Sequence, residues 1–195
     1  MKFDRYFRLA NLLTFSRLLL TLPFILFFRF NLMAHASVCF GLAALTDHFD
    51  GKIARKQGIT QFGSFLDSFV DKVLVGAALI CLYLFQHDKL DEGVGLIPLW
   101  MVIVILGREF VITCFRLVCV AKSGAVISAN RWGKYKTTSQ LVVIFIGLVL
   151  LIFLNESDYV VQEHGPIYFL MYLPLILTVL SGLEILYGNR KAFSV

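Results

Sequence analysis

Asp47, Asp50, Asp67 and Asp71 place four acidic residues in one stretch, TDHFDGKIARKQGITQFGSFLDSFVDK, of a chain that has 13 acidic residues among 195. Apolar sequence flanks the stretch on both sides. Carboxylates at the edge of a membrane are costly unless paired or metal-bound. Asp47 and Asp50 are three positions apart and Asp67 and Asp71 four, so on helices each pair lies on one face. If those helices run antiparallel across the turn carrying Gly58 and Thr60, the four carboxylates converge. Uncompensated, they would repel and some would take up protons. Two divalent cations resolve that conflict, and an all-oxygen ligand set favours Mg²⁺ or Mn²⁺ over zinc. Such a pair of ions suits phosphoryl chemistry, binding phosphate oxygens and stabilising charge on attacking and leaving groups. Gly51 and Gly63 remove side-chain bulk where a ligand approaches the backbone. Arg55 is placed to hold a phosphate through paired hydrogen bonds. Any one of these aspartates could instead cap a helix or pair with Lys52, Arg55, Lys56 or Lys72. Four at this spacing, with two glycines, favour the metal site. His48, one position on from Asp47, points about 100° away around a helix, which argues against a general base there.

The elements that must hold these residues are membrane spans. Apolar residues make up 58% of the chain and charged ones 16%, against roughly a quarter charged in a soluble domain. Six apolar runs reach or approach the ~20 residues that cross a bilayer as a helix. They run over about 12–30, from about 32 to the aspartates, and over about 62–85, 94–120, 136–154 and 167–187, with Pro23 expected to kink the first. Residues 1–10 put Phe3, Tyr6, Phe7 and Ala10 on one face with Lys2, Arg5 and Arg8 mostly on another, the pattern of a short interfacial helix. The expected fold is therefore all-α and integral to the membrane: six transmembrane helices plus that helix, in one domain over 1–195. No signal-peptide cleavage pattern is expected.

Charge sets the orientation. With the N-terminus inside, segments 1–10, 47–61, 121–136 and 188–195 hold most of the Lys and Arg residues, while only Arg29 and Lys89 lie near the other side. The acidic loops QHDKLDEG and NESDYVVQEHG fall there too. This asymmetry predicts both termini and the aspartate motif on the cytoplasmic face. The net charge of +5 is spread over helix ends, where it meets anionic headgroups, and so does not indicate a nucleic-acid partner. Cys39, Cys81, Cys114 and Cys119 lie in apolar runs without metal-ligand spacing and read as small buried hydrophobes.

Asp47-x-x-Asp50-Gly51-x-x-Ala54-Arg55 followed by Gly63-x-x-x-Asp67-x-x-x-Asp71 resembles the signature of the CDP-alcohol phosphatidyltransferase family at every defining position. Asn11-Leu-Leu-Thr14-Phe-Ser-Arg17 and the block 107–140, with Arg108-Glu109-Phe110, Arg116 and Gly133-Lys134-Tyr-Lys136-Thr137, are similar to bacterial members that make phosphatidylglycerol phosphate. The resemblance covers most of 11–140, and the last span looks generic. It implies a six-helix membrane fold, a homodimer, a bacterial inner-membrane location and CDP-diacylglycerol as donor. It also implies that Asn11, Thr14, Gly51 and Thr60 line the nucleotide end, with Ala54, Arg55 and Gly63 part of the same CDP-lipid site. Ala10, Ser68 and Val70 depart from commonly occupied positions of the pattern, but none removes a metal ligand.

The cations Arg108, Arg116, Lys134 and Lys136 gather at the cytoplasmic ends of the fourth and fifth spans. An acceptor bearing its own phosphate, such as sn-glycerol 3-phosphate, needs such a pocket; snorkelling headgroup contacts are the plainer use of the same residues. Arg108 and Arg116 lie inside an apolar run, and Glu109 is a natural partner for one of them. The expected chemistry has Asp47, Asp50, Asp67 and Asp71 on the metals, and Asp71 taking the proton from the acceptor hydroxyl. The same chemistry on another acceptor is the near alternative, as in cardiolipin, phosphatidylserine or inositol-phosphate lipid synthesis. A cation transporter is the distant one, since intramembrane aspartates also mark ion pathways. Transporters place such carboxylates near the midplane with broken helices in both halves, whereas here all four sit at one edge of one half.

Overall fold

The computed structural model describes the backbone of residues 3–57, 61–85, 96–123, 131–153 and 165–188, and the side chains of 15–46, 69–85, 96–115, 133, 135–153, 165–185 and 187–188. Those residues form six helices and no strand: α1 (Phe3–Arg29), α2 (Met33–Gln57), α3 (Gln61–Tyr83), α4 (Leu99–Ser123), α5 (Arg131–Phe153) and α6 (Pro166–Gly188). Each apolar run expected to span thus becomes one helix. Among the described residues, two segments are long and apolar enough to cross a membrane, Tyr135–Phe153 and Pro166–Ile185. α1, α4 and α6 also turn large apolar side chains outward, with Leu22, Ile103, Phe110, Phe169 and Leu173 more than half exposed. Outward apolar surface on this scale suits lipid better than water.

One expectation is corrected. Residues 3–10 do not form a separate interfacial helix, because α1 runs unbroken from Phe3 to Arg29. No Gly or Pro interrupts 3–14, and Leu9, Ala10, Leu12 and Leu13 favour helix, so nothing stops the first segment propagating into the next. Pro23 lies within α1 and removes one backbone donor there.

α1 ends where a left-handed residue stops it. Asn31 has φ 56°, a conformation Asn tolerates better than most residues. The Leu32 amide donates to the Phe27 carbonyl at 2.9 Å and the Asn31 amide to Phe28 at 3.1 Å. This pair of bonds satisfies the last carbonyls and returns the chain as α2, which packs along α1. α1 also packs on α3, α2 on α5, α5 on α6, and α4 on α6 and α3. The core between them is apolar and aromatic: Phe24 meets Phe40 at 5.6 Å between ring centroids, and Phe28 meets Phe85 edge-on at 5.9 Å. At Gly41 of α2 an added Cβ would lie 3.1 Å from the Phe145 ring of α5, so that helix pair approaches closely. Cys39, Cys81 and Cys114 are free thiols but half-buried rather than buried, and the side chain of Cys119 lies outside the described residues.

Candidate active site

The helices carry the motif as its spacing requires. Asp47, Asp50, Gly51, Ala54 and Arg55 lie on the last turns of α2, and Gly63, Asp67 and Asp71 on the first turns of α3. The two helices touch and are joined through residues 58–60. Asn11 and Thr14 lie on α1, Arg116 on α4 and Lys134 on α5. Thr60, and the side chains of Asn11, Thr14, Asp47, Asp50, Gly51, Ala54, Arg55, Gly63, Asp67, Arg116 and Lys134, fall outside the described residues. Among the described residues no group of three His, Cys, Asp or Glu comes together, and of the four expected ligands only Asp71 has a described side chain. The donor set fits a hard divalent cation by residue type: four carboxylates, three and four positions apart in sequence on two consecutive, touching helices.

Three of the expected site side chains are described: Asp71, Arg108 and Lys136. The Asp71 Oδ1 accepts from Nη1 of Arg17 on α1. Arg17 is fully buried, with its side chain sealed from solvent, whereas Asp71 keeps 30% of its side chain exposed. A buried guanidinium needs an opposite charge close by, and Asp71 supplies it at Nη1. Arg17 thereby ties the middle of α1 to the third turn of α3, and the Thr21 hydroxyl donates to the Arg17 carbonyl at 2.9 Å one turn on. The pair holds the Asp71 carboxylate in a set orientation.

The second group joins α4, α5 and α6. Lys136 Nζ of α5 pairs with Glu109 Oε1 of α4, and Arg108 Nη1 lies 3.6 Å from the same oxygen. Glu109 is thus the partner of Arg108 and also of Lys136. Arg108 reaches on to α6, where its Nη2 donates to Ser181 Oγ at 2.7 Å. Lys136 is buried, and its helix α5 packs on the aspartate-bearing helix α3. The cationic group and α3 are therefore neighbours. Cations bridging a carboxylate beside an aspartate-bearing helix can bind an anion next to a carboxylate able to take a proton.

Two participants were not singled out from the sequence. Arg17 stood only as the last residue of a motif box. The usable signal was a single cation inside the run LLTFSRLLLTL, where a charge needs a partner. Ser181 gave no signal, because small hydroxyl residues are common in membrane helices and its partner is 73 positions away.

Comparison with known proteins bears on what this site does. A family model described as CDP-alcohol phosphatidyltransferase matches residues 7–182. A protein of Bacillus subtilis (strain 168) named CDP-diacylglycerol–glycerol-3-phosphate 3-phosphatidyltransferase is 38% identical over 157 residues, covering 80% of this chain and 74% of its own. A probable phosphatidylglycerophosphate synthase of Mycobacterium tuberculosis (strain ATCC 25618 / H37Rv) is 34% identical over 191 residues, covering 92% and 80%. A protein of Rickettsia felis with the same name as the Bacillus relative is 30% identical over 198 residues, covering 99% and 100%.

Proposed function

This chain belongs to the CDP-alcohol phosphatidyltransferase family, and on that premise we propose that it transfers the phosphatidyl group of CDP-diacylglycerol to sn-glycerol 3-phosphate. The products are phosphatidylglycerol phosphate and CMP. The observation that carries this reading is likeness over most of the chain to proteins named for that reaction. The meeting of Arg108 and Lys136 through Glu109, beside the helix of Asp71, supports it from the structure.

Asp47, Asp50, Asp67 and Asp71 would hold two divalent ions, Mg²⁺ or Mn²⁺, which when bound neutralise the donor diphosphate and the departing nucleotide. Arg55 clamps the diphosphate, and Gly51 and Gly63 leave room for it. Asn11, Thr14, Gly51 and Thr60 line the nucleotide end, and Ala54 belongs to the same CDP-lipid site. Arg108, Arg116, Lys134 and Lys136 hold the phosphate of the acceptor and aim its 1-hydroxyl. Asp71, oriented by Arg17, accepts the hydroxyl proton as the oxygen bonds to the phosphorus that bears diacylglycerol. The bond from that phosphorus to the bridging oxygen breaks, and CMP leaves. Catalysis then consists of positioning and charge neutralisation. The protein acts as a single six-span domain in a bacterial inner membrane, with the site and both termini cytoplasmic, and as a homodimer in line with its family.

Purified protein in detergent micelles with CDP-diacylglycerol and Mg²⁺ or Mn²⁺ tests the reading against a panel of acceptors. CMP release that depends on glycerol 3-phosphate is the expected result. Release with serine, inositol phosphate or phosphatidylglycerol, and none with glycerol 3-phosphate, assigns a different acceptor. Metal-dependent cation uptake into liposomes with no CMP release would overturn the enzyme altogether.

A further inference from the structure

The sixth helix looks generic in the sequence, yet it carries a buried polar seam. Thr178 and Ser181 are fully buried and Gln140 of α5 nearly so. Polar groups sealed among helices persist when they are hydrogen-bonded, and these are. Gln140 Nε2 donates to Thr178 Oγ1 at 3.1 Å, and Ser181 Oγ donates to the Thr178 carbonyl at 3.1 Å. The proton of Ser181 is thereby committed along its own helix, and its oxygen is left to accept. What it accepts is the Nη2–H of Arg108 at 2.7 Å. Beside it, Gly182 leaves the space that the arginine stem crosses: a Cβ there would lie 3.1 Å from Arg108 Nε and 3.3 Å from its Cγ. The hydroxyl sets the direction of the guanidinium and the missing side chain sets its depth.

We propose that Ser181 and Gly182 are positioning residues for the acceptor, fixing Arg108 through the seam Gln140–Thr178–Ser181 so that α6 sets the geometry of the acceptor-phosphate pocket. The inference rests on Arg108 contacting the acceptor phosphate. It adds that the placement of that cation is decided on a helix outside both the aspartate motif and the cationic block. Lys136, held by Glu109 on the opposite side of Arg108, does not depend on Ser181 directly, so loss of the seam weakens the pocket without emptying it.

Steady-state kinetics on S181A, G182A, R108A and the double variant S181A/R108A test this, with KM measured separately for glycerol 3-phosphate and CDP-diacylglycerol. S181A is expected to raise KM for glycerol 3-phosphate about tenfold, the size of one lost hydrogen bond to a charged group. KM for CDP-diacylglycerol stays within about twofold on the same reasoning, because the seam touches no donor-binding residue. G182A is expected to shift KM in the same sense. Because alanine favours a helix over glycine, a loss there reports displacement of Arg108 rather than unfolding, and this keeps the test valid if S181A proves unstable. Adding S181A to R108A should change nothing further, since Ser181 acts through Arg108. If R108A raises KM for glycerol 3-phosphate while S181A and G182A leave it unchanged, the positioning role is overturned and the acceptor reading stands. If R108A itself leaves that KM unchanged, the acceptor role of Arg108 fails first. Equal rises in both KM values, persisting in the R108A background, would show general packing damage and overturn the proposal.

Discussion

Arg17 and Asp71 show what a single side chain must do in this setting. A fully buried guanidinium against a partly exposed carboxylate is a pair in which each partner restrains the other. Removing one member of a buried pair typically costs about 3–5 kcal/mol, because the other charge is stranded. The exposure of Asp71 pulls the expected cost of Arg17→Ala toward the low end of that range. We expect Arg17→Ala to lower the midpoint of thermal unfolding in detergent and to reduce kcat, since the carboxylate loses its orientation. Combining it with Asp71→Asn should cost clearly less stability than the two single changes summed, the mark of direct coupling; full additivity would contradict the pair. Asp71→Asn alone should abolish turnover while CDP-diacylglycerol binding stays detectable. Near-normal turnover in that variant would sink the proton-accepting role. The sequence showed Asp71 through its spacing to Asp67. It did not show the pairing with Arg17, because contact between residues 54 apart follows from how α1 and α3 pack and not from local pattern.

At the scale of elements, hydrophobic run length located the six helices but not all their ends: α1 begins at Phe3 rather than near 12, and α2 runs past the aspartates to Gln57. α4 starts at Leu99 rather than near 94 because Pro98 stands at its entry, its carbonyl accepting the Met101 amide at 3.1 Å. The break expected near residue 10 was misread from charge placement, which marks a headgroup face but carries no stop signal for a helix. The turn between α1 and α2 depends on Asn31 at φ 56°. Asn31→Gly should be tolerated, whereas Asn31→Val should destabilise by about 1–2 kcal/mol, the left-handed cost for a branched residue. Comparing their thermal midpoints with the parent checks it, and equal midpoints would contradict the turn as described. α6 was least legible. Its seam is built from Thr178, Ser181 and Gly182, residues whose types fit any membrane helix, and only the arrival of Arg108 from α4 gives them meaning.

For the whole molecule, two readings converge on the same end of the bundle. The carboxylates of α2 and α3 and the cations of α4 and α5 belong to elements far apart in sequence, yet α3 packs on both α4 and α5. If the proposed donor and acceptor groups act there, this nearness suits direct transfer with no covalent enzyme intermediate. Removal of divalent ions with a chelator should abolish CMP release, and Mg²⁺ or Mn²⁺ should restore it; activity undiminished in excess chelator would contradict the carboxylate metal site. Identity of the acceptor was the part of the function furthest from the aspartate motif, since cations such as those of 108–136 are suited to a phosphate whatever alcohol bears it. The central claim is therefore met most directly by following that alcohol. Purified protein is incubated with CDP-diacylglycerol, Mg²⁺ and radiolabelled sn-glycerol 3-phosphate, and the label is partitioned between water and organic solvent. Label is expected in the lipid phase as phosphatidylglycerol phosphate, in step with CMP release and absent without CDP-diacylglycerol. CMP release with the label remaining wholly in the aqueous phase would contradict it.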